Sequence, residues 1–184
     1  MKNSTGLGKY IYMEWLIPVR DYYVSIRKNE AVFELLVPLL CSIACTIAYC
    51  FHRKLLVALD GLAVVLPSAI SILIGFTAML ITLLLTGSGK SVENLKKKET
   101  SKVLYKKPIT LYQCLHIHFS HSLFSEIFLL LLVFLYLFLE GIGIPLWLAF
   151  LLLIVEIYLT LHILMSMLRG IANIYFSFYN NKDK

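Results

Sequence analysis

Two carboxylates lie within long apolar stretches of this chain, where an ionised side chain is costly. Glu156 is flanked by isoleucine, valine and tyrosine in the last apolar stretch, and Asp60 lies at the start of the second. Inside a bilayer such groups are neutral, paired, or turned toward a bundle interior or a water-filled cavity. Glu156 and Asp60 are therefore the candidate intramembrane polar residues. Arg53 and Lys54 are plausible partners for Asp60, and a hydrogen bond that only fixes helix packing is the alternative role for Glu156.

A second group of reactive side chains is found in the segment CLHIHFSH. On a helix, Cys114, His118 and His121 share one face, and His116 lies on another. Histidine and cysteine are good transition-metal ligands, so a metal site is one hypothesis. A pH sensor and plain structural packing are the others. Glu126 is the only carboxylate near them in sequence, so we expect no bound metal or other cofactor.

The segment Gly87-Ser88-Gly89-Lys90-Ser91 resembles the end of a phosphate-binding loop. That motif needs a glycine five residues before Gly89, where this chain has Leu84, and it needs a preceding strand in an α/β domain. The segment is better explained as a helix end, with glycine in the left-handed conformation. Sequence signatures of familiar hydrolases and metalloproteases are also missing, so we predict a non-enzymatic protein.

The composition indicates a membrane protein. The chain has 184 residues, of which 59% are hydrophobic and 15% charged. Its mean hydropathy is +0.80. A soluble domain has about a quarter of its residues charged. Four stretches are long and apolar enough to cross a bilayer: they lie near 31–51, within 55–86, near 119–139 and near 144–168.

These stretches predict an all-α integral membrane protein with four transmembrane helices, arranged as two hairpins. The proposed divisions are an N-terminal segment 1–30, a first hairpin 31–86, a basic loop 87–118, a second hairpin 119–168 and a tail 169–184. Residues 10–28 have aromatic and aliphatic side chains at helical spacing, which predicts an amphipathic helix in the membrane interface. Thr110 is expected to cap a helix of about 30 residues that runs into the third span.

The lysines and arginines predict the orientation. All of them except Arg53 and Lys54 lie in the N-terminal segment, the central loop or the C-terminal end. The positive-inside rule then places both termini and the central loop in the cytoplasm. Six lysines of that loop are the candidate docking residues for a soluble partner, with attraction to anionic lipid as the alternative: Lys96, Lys97, Lys98, Lys102, Lys106 and Lys107.

Small residues in the second span suggest how the helices pack. Ser71 and Gly75 form a small-x-x-x-small pattern, which permits close helix contact. The third span is a broad band of leucine and phenylalanine that suits lipid. We therefore expect the second span to be central, and Ser71 and Gly75 to contribute to helix packing, including packing between subunits of a homo-oligomer such as a tetramer.

The overall plan resembles the KwaA family, the membrane subunits of the bacterial anti-phage system Kiwa. The shared features are the length, the four spans, the aromatic segment MEWLIPVRDYY at 13–23 and the basic cytoplasmic loop. The resemblance implies a homo-oligomeric sensor in the bacterial inner membrane that recruits a cytoplasmic DNA-binding effector, KwaB. It implies no catalytic residues, and no direct nucleic-acid binding by this chain.

Two functions follow as hypotheses. The first is a non-enzymatic inner-membrane sensor or scaffold that oligomerises and recruits a KwaB-like cytoplasmic effector in defence against phage. The alternative is a small oligomeric ion channel or holin-like pore, with Glu156 and the serines of the second span lining the path. Four spans without internal repeats are few for a transporter acting alone.

Overall fold

The computed structural model describes residues 14–179, and it is helical almost throughout. Four helical segments are long and apolar enough to span a membrane. They are Lys28–Phe51, Leu55–Thr86, Leu111–Glu140 and Leu146–Tyr175. The predicted fold class is confirmed: the chain is an α-helical integral membrane protein with four transmembrane helices.

The order of the elements is simple. A 3-10 turn, Glu14–Leu16, precedes α1 (Ile17–Ser25), α2 (Lys28–Ala31), a π-helical turn (Val32–Leu36) and α3 (Val37–Phe51). Then follow α4 (Leu55–Thr86), α5 (Lys90–Lys97), β1 (Glu99–Leu104), β2 (Lys107–Thr110), α6 (Leu111–Glu140) and α7 (Leu146–Tyr179). The first 13 residues of the N-terminal segment, including positions 10–13 of the expected amphipathic helix, lie outside the described residues.

The central loop is more ordered than its composition suggested. It contains α5 and an antiparallel hairpin of β1 and β2, in which Leu104 pairs with Lys107. Tyr105 and Lys106 both have positive φ, 50° and 64°, the pattern of a two-residue type I′ hairpin turn. Together with α1, these elements form a compact layer at one end of the bundle, which we name the cap. The opposite end, with turns at 52–54 and 141–145, is the turn end.

The helix ends beside the cap follow from local sequence. Thr110 accepts a hydrogen bond from the backbone of Gln113, and the Gln113 side chain accepts one from the backbone of Thr110. This capping box starts α6 at Leu111, as predicted, and α6 has 30 residues. The end of α4 at Thr86 was also predicted, but for the wrong reason. Gly87 has φ of −65°, which is outside the left-handed region. A larger residue does not fit there, because a Cβ would lie 2.7 Å from the carbonyl oxygen of Leu83.

The central helix is α6 rather than α4, which corrects the expectation from composition. It packs against α1, α4 and α7, while α3 packs mainly against α7. Buried apolar side chains of α4, α6 and α7 form one core, and Leu59, Phe119, Val133 and Leu153 are fully buried in it. Large apolar side chains cover the outside, so composition alone does not distinguish core from lipid-facing surface.

Candidate functional site

A group of polar side chains is buried where the cap meets the bundle, and we name it the polar cluster. It draws on α1, the first span, β1, α6 and α7. Its members are Tyr22, Glu30, Glu34, Lys102, His118, His121, His162, Ser166 and Arg169. Buried polar groups are costly unless they pair with one another, so the arrangement of these nine residues is constrained by their contacts.

Four charged residues form a chain of ion pairs through the cluster. Arg169 contacts two carboxylates: its Nε lies 2.7 Å from Glu34 Oε1, and its Nη1 lies 2.9 Å from Glu30 Oε2. Lys102 of β1 completes the chain, with Nζ 2.8 Å from the same Glu30 oxygen. Two positive and two negative charges therefore meet, and the set is neutral. Through it, one residue of the cap hairpin is tied to the first span and to α7.

The backbone around Glu34 explains why this residue lies in the cluster. Glu34 belongs to the π-helical turn, and such turns are frequent at functional sites. Four residues later is Pro38, which has no N–H to donate to the carbonyl of Glu34. His162 of α7 makes that contact instead, with Nδ1 2.6 Å from the Glu34 oxygen. The proline thus frees a carbonyl that links the first span to α7.

Tyr22 inserts from α1 into the centre of the cluster. Its ring is 1% exposed and stacks on His121, with ring centroids 3.8 Å apart. Its hydroxyl donates to the second carboxylate oxygen of Glu34. Burial, and next the bonded Glu34 carboxylate, raise the pKa of the Tyr22 hydroxyl. Tyr22 therefore keeps its proton and remains a donor at neutral pH.

His118 has a defined tautomer. Nη2 of Arg169 lies 3.3 Å from Nδ1 of His118, and a guanidinium can only donate, so Nδ1 accepts. Nε2 must then carry the proton, and it donates to the carbonyl of Ser166 at 2.5 Å. The hydroxyl of Ser166 in turn lies 3.1 Å from that of Ser122. His118 is thus a neutral bridge between Arg169 and the backbone of α7.

Replacing Tyr22 with phenylalanine should lower stability by about 1–3 kcal/mol. The change removes only the hydroxyl, and it leaves one buried carboxylate oxygen of Glu34 without its donor. Thermal unfolding in detergent measures the effect. Tyr23→Phe is the matched control, because Tyr23 is 46% exposed, and its variant should unfold like the wild type. Equal midpoints for both variants would contradict this account of Tyr22.

The metal hypothesis for the cysteine and histidines finds no geometry to support it. Cys114, His118 and His121 are buried on one face of α6 as expected, whereas His116 lies beside a groove on another face. Among residues 14–179, no three histidine, cysteine or acidic side chains are placed to hold a metal ion. His118 is already engaged by Arg169 and Ser166, and the carboxylates that belong to the cluster are Glu30 and Glu34 rather than Glu126.

The carboxylates farther from the cap have different environments. Glu126 is fully buried and accepts from the hydroxyl of Thr77 at 2.8 Å. Glu156 is 1% exposed, and neither of its carboxylate oxygens has a hydrogen-bond partner in the described part of the chain. Asp60, at the turn end, accepts from the hydroxyl of Tyr136 rather than pairing with Arg53 or Lys54.

The candidate docking lysines do not all face outward. Lys102 is 9% exposed and belongs to the chain of ion pairs, so it holds the cap in place. The other five are exposed: Lys96, Lys97, Lys98, Lys106 and Lys107. Lys96 lies 5.2 Å from the ring centroid of Tyr112, which orients it.

A groove of about 650 Å³ opens beside Lys107, between the hairpin and the first turns of α6. Apolar and aromatic side chains line most of it, among them Leu85, Tyr105 and Pro108, and Gln113 and His116 add polar groups. The hairpin wall is held to α1, because the hydroxyl of Tyr105 donates to Asp21 at 2.8 Å. The cap thus presents an ordered concave surface next to exposed positive charge.

The small residues of α4 lie on the outside of the chain. Ser71 is exposed, and its hydroxyl donates to the carbonyl of Pro67 at 2.7 Å. Gly75 is also exposed, and a Cβ there would meet nothing within 4 Å. The pattern therefore does not pack helices within one chain, and contact with a second copy stays a prediction.

Sequence reasoning missed most of the polar cluster. It singled out histidines of α6 but gave no role to Tyr22, Glu30, His162 or Arg169. A signal was available, because Glu34 and Arg169 are charged residues near the same end of two different spans, where each needs a partner. No family model, curated protein or solved structure matches this chain.

Proposed function

We propose that this protein is a non-enzymatic membrane scaffold that holds a soluble effector protein against its cap. One observation carries the proposal: five exposed lysines and an adjoining groove lie on a folded layer that ion pairs fix to the transmembrane bundle. An acidic surface on the partner would complement these lysines, and apolar side chains of the partner would fill the groove.

The location forms part of the proposal. The distribution of lysine and arginine favours the cap on the cytoplasmic side of a bacterial inner membrane, with both termini on that side. The turn end, with Arg53 and Lys54, would face outward. The resemblance to the KwaA family adds the expectation that the partner is a KwaB-like effector and that the biological role is defence against phage.

In this proposal the polar cluster couples the docking surface of the cap to the positions of the transmembrane helices. The cap and the spans share side chains, because Lys102 and Tyr22 of the cap reach Glu30 and Glu34 of the first span. A disturbance that moved α7 would shift Arg169 and with it both carboxylates. We infer that the docking surface senses the arrangement of the spans through these contacts, which is the sensor part of the proposed function.

Oligomerisation is proposed through the outer face of α4. Ser71 and Gly75 leave room there for another helix to approach closely. A scaffold with several copies of the cap would bind a multivalent effector more tightly than one copy would, without any new contact.

Reversing the charge of Lys96, Lys97 and Lys98 should abolish binding of the effector. The probe is the soluble protein encoded next to this chain, copurified with it from membranes at low and high salt. We expect at least a tenfold loss, because three attractive charges become repulsive. Reversing Arg53 and Lys54 at the turn end is the matched control, and it should leave binding unchanged.

Lys102→Glu tests whether Lys102 stabilises the cap while the five exposed lysines bind the partner. It places a third carboxylate beside Glu30, so it should lower thermal stability, whereas the triple reversal at Lys96, Lys97 and Lys98 should not. Undiminished copurification by the triple variant would overturn the proposed docking surface. If the turn-end control variant also lost binding, this would show that net charge alone attracts the partner.

The alternative, a small oligomeric ion channel or holin-like pore, remains open to test. Glu156 faces the interior of the chain, whereas Ser71 lies on the outside, so these residues do not line one path in a single chain. Ion flux through liposomes containing the purified protein would favour the channel, particularly if Glu156→Gln changed the flux.

A further inference from the structure

Glu156 is the most unusual buried group in the bundle. Its side chain is 1% exposed, and both carboxylate oxygens are buried without a hydrogen-bond partner among the described residues. Its backbone carbonyl accepts from the hydroxyl of Thr160 at 2.7 Å, which leaves the carboxyl group uncompensated within residues 14–179. An ionised carboxylate in such a place would cost several kcal/mol or more, so the neutral acid is the form that the site accommodates.

The position of Glu156 is near the middle of the membrane. It lies ten residues after Leu146, the first residue of α7, which is about 15 Å along the helix. The apolar core of a bilayer is about 30 Å thick, so this depth is about halfway. Glu126 lies 14 residues before Glu140, the last residue of α6, which is about 21 Å from the turn end and about 6 Å nearer the cap than Glu156.

Polar side chains connect this depth with the cap. Between positions 118 and 126 of α6, five of the six buried side chains are polar, with Phe119 as the exception, and they cover about 12 Å of helix. They are His118, His121, Ser122, Ser125 and Glu126. The buried residues of α3 are Pro38, Ser42 and Thr46, which continue the face of Glu34 at intervals of four. From α7, His162 and Ser166 face the same interior.

Several polar atoms along this route are buried and unsatisfied. Nδ1 of His121, Nε2 of His162 and Oε2 of Glu126 have no hydrogen-bond partner among the described residues. His121 and His162 face each other with ring centroids 5.3 Å apart. Buried polar atoms of this kind are the groups that internal water molecules satisfy in proteins, and chains of water carry protons. We name this route, from His118 to Glu126, the polar inlet.

Beyond Glu126 and Glu156 the interior becomes mostly apolar. Toward the turn end the buried side chains of α4, α6 and α7 are aliphatic until Asp60 and Tyr136 meet near the far surface, whereas Thr46 of α3 is a buried polar side chain on that side. The aliphatic layer consists of Leu59, Leu66, Leu129, Val133, Ala149 and Leu153. Such a layer disfavours water, so the polar side chains of the inlet lead from Glu126 toward the cap side of the membrane.

We propose that Glu156 is a proton-binding site that exchanges its proton with the cap side of the membrane through the polar inlet. The ligand is the proton itself, and Glu126 binds it transiently between Glu156 and the cap. The inference goes beyond effector recruitment and does not depend on it. A mid-membrane carboxyl with access from one side would make the state of the bundle depend on the pH at the cap.

The ionisable groups around Glu156 do not offer it a fixed countercharge. The helices that pack against α7 carry, among other ionisable residues, Cys45 on α3, Asp60 on α4, and Glu126 and Tyr136 on α6, and α7 itself carries Tyr158 and His162. None of these is a cation under ordinary conditions except a protonated His162, whose Nδ1 already binds the carbonyl of Glu34. Arg169, the nearest permanent cation on the same helix, is engaged by Glu30 and Glu34.

A hydrophobic carbodiimide tests the proposal, because it adds only to a protonated carboxyl. The acid gives its proton to a carbodiimide nitrogen while its oxygen bonds to the central carbon, and rearrangement leaves a stable N-acylurea on the side chain. The experiment uses N,N′-dicyclohexylcarbodiimide on the full protein in liposomes, with mass spectrometry of the labelled peptides. Glu140, exposed at the turn end, is the internal control that should stay unlabelled.

The access side is tested by changing the pH on one side at a time. Trypsin, which cuts at the exposed lysines of the cap, identifies the liposomes in which the cap faces outward. Raising the pH on the cap side should lower the labelling rate of Glu156, by about tenfold per pH unit once the group is mostly ionised. Raising it on the turn-end side should change the rate less than twofold.

Each outcome decides the proposal. The proposal is supported if labelling of Glu156 falls when the pH is raised on the cap side but not when it is raised on the turn-end side. Glu156→Gln should then remove the label from that peptide. The proposal is overturned if Glu156 is not labelled, if both sides affect it equally, or if pH on neither side affects it. The decisive comparison uses the unmodified chain, so it does not depend on any variant folding.

Discussion

Replacing Arg169 with methionine should destabilise the protein by about 3 kcal/mol, the largest effect that we expect from a single substitution in the polar cluster. The change removes the cation that Glu30 and Glu34 share and leaves the buried Glu34 carboxylate with only the hydroxyl of Tyr22. Breaking a buried ion pair by removing one partner costs about 3–5 kcal/mol. The lower figure applies because the side chains of Arg169 and Glu30 are 19% and 24% exposed.

The explanation by charge can be separated from a loss of packing. Adding Glu34→Gln to Arg169→Met removes the uncompensated charge, so the double variant should be more stable than Arg169→Met alone. Lys97→Met is the matched control, since it removes an exposed cation of the cap and should shift the unfolding midpoint little. Unfolding in detergent, followed by the loss of helical signal, measures all of them. A double variant less stable than the single one would contradict the charge explanation.

Replacing Gly170 with leucine should separate α6 from α7 and lower stability by about 1–3 kcal/mol. A Cβ at Gly170 would lie 2.7 Å from Cε1 of Phe119 and 3.3 Å from Cδ2 of His118. Phe119 is fully buried, so its ring has no free space into which it can move. Overpacking a closely packed site typically costs this amount. Because His118 binds the carbonyl of Ser166, the variant should also loosen the contact between the cluster and α7.

Gly75→Leu is the matched control for this prediction. It makes the same change in another membrane helix, but nothing lies within 4 Å of the added Cβ. We expect it to keep the stability of the single chain, and even to gain from the better helix propensity of leucine. If Ser71 and Gly75 contact a second copy, Gly75→Leu should instead weaken the oligomer in a crosslinking assay. Equal loss of stability for both variants would contradict the close contact at Gly170.

The sequence predicted the transmembrane helices well because their signals are local. A run of about 20 apolar residues must form a helix in lipid, where every backbone group needs an internal partner. The second span was predicted to lie within 55–86, and the helix is Leu55–Thr86. Thr110 and Gln113 fix the start of α6, since the capping box lies within four residues of sequence.

The hairpin of the cap was missed because its signal is weak. Its turn uses Tyr105 and Lys106 instead of glycine or asparagine, and its strands have only six and four residues. Lysine-rich composition suggested a solvated loop. Nothing in that composition shows that Lys102 turns inward, because its partner Glu30 is 72 residues away.

Sequence alone therefore determined which segments enter the membrane, and it singled out Glu156 as an intramembrane polar residue and the histidines of α6 as candidates for a metal site, a pH sensor or structural packing. The tertiary structure decided which of those groups meet. Glu34, Arg169 and Tyr22 come from three separate helical segments, and each is costly to bury without a partner. Arg169 lies far from Glu34 and Tyr22 in the chain, so the sequence does not show that they meet. Hydropathy measures how much a residue costs in lipid, whereas the packing of the helices decides what compensates that cost. For this reason the polar cluster, and the unpartnered state of Glu156, became visible only in the folded chain.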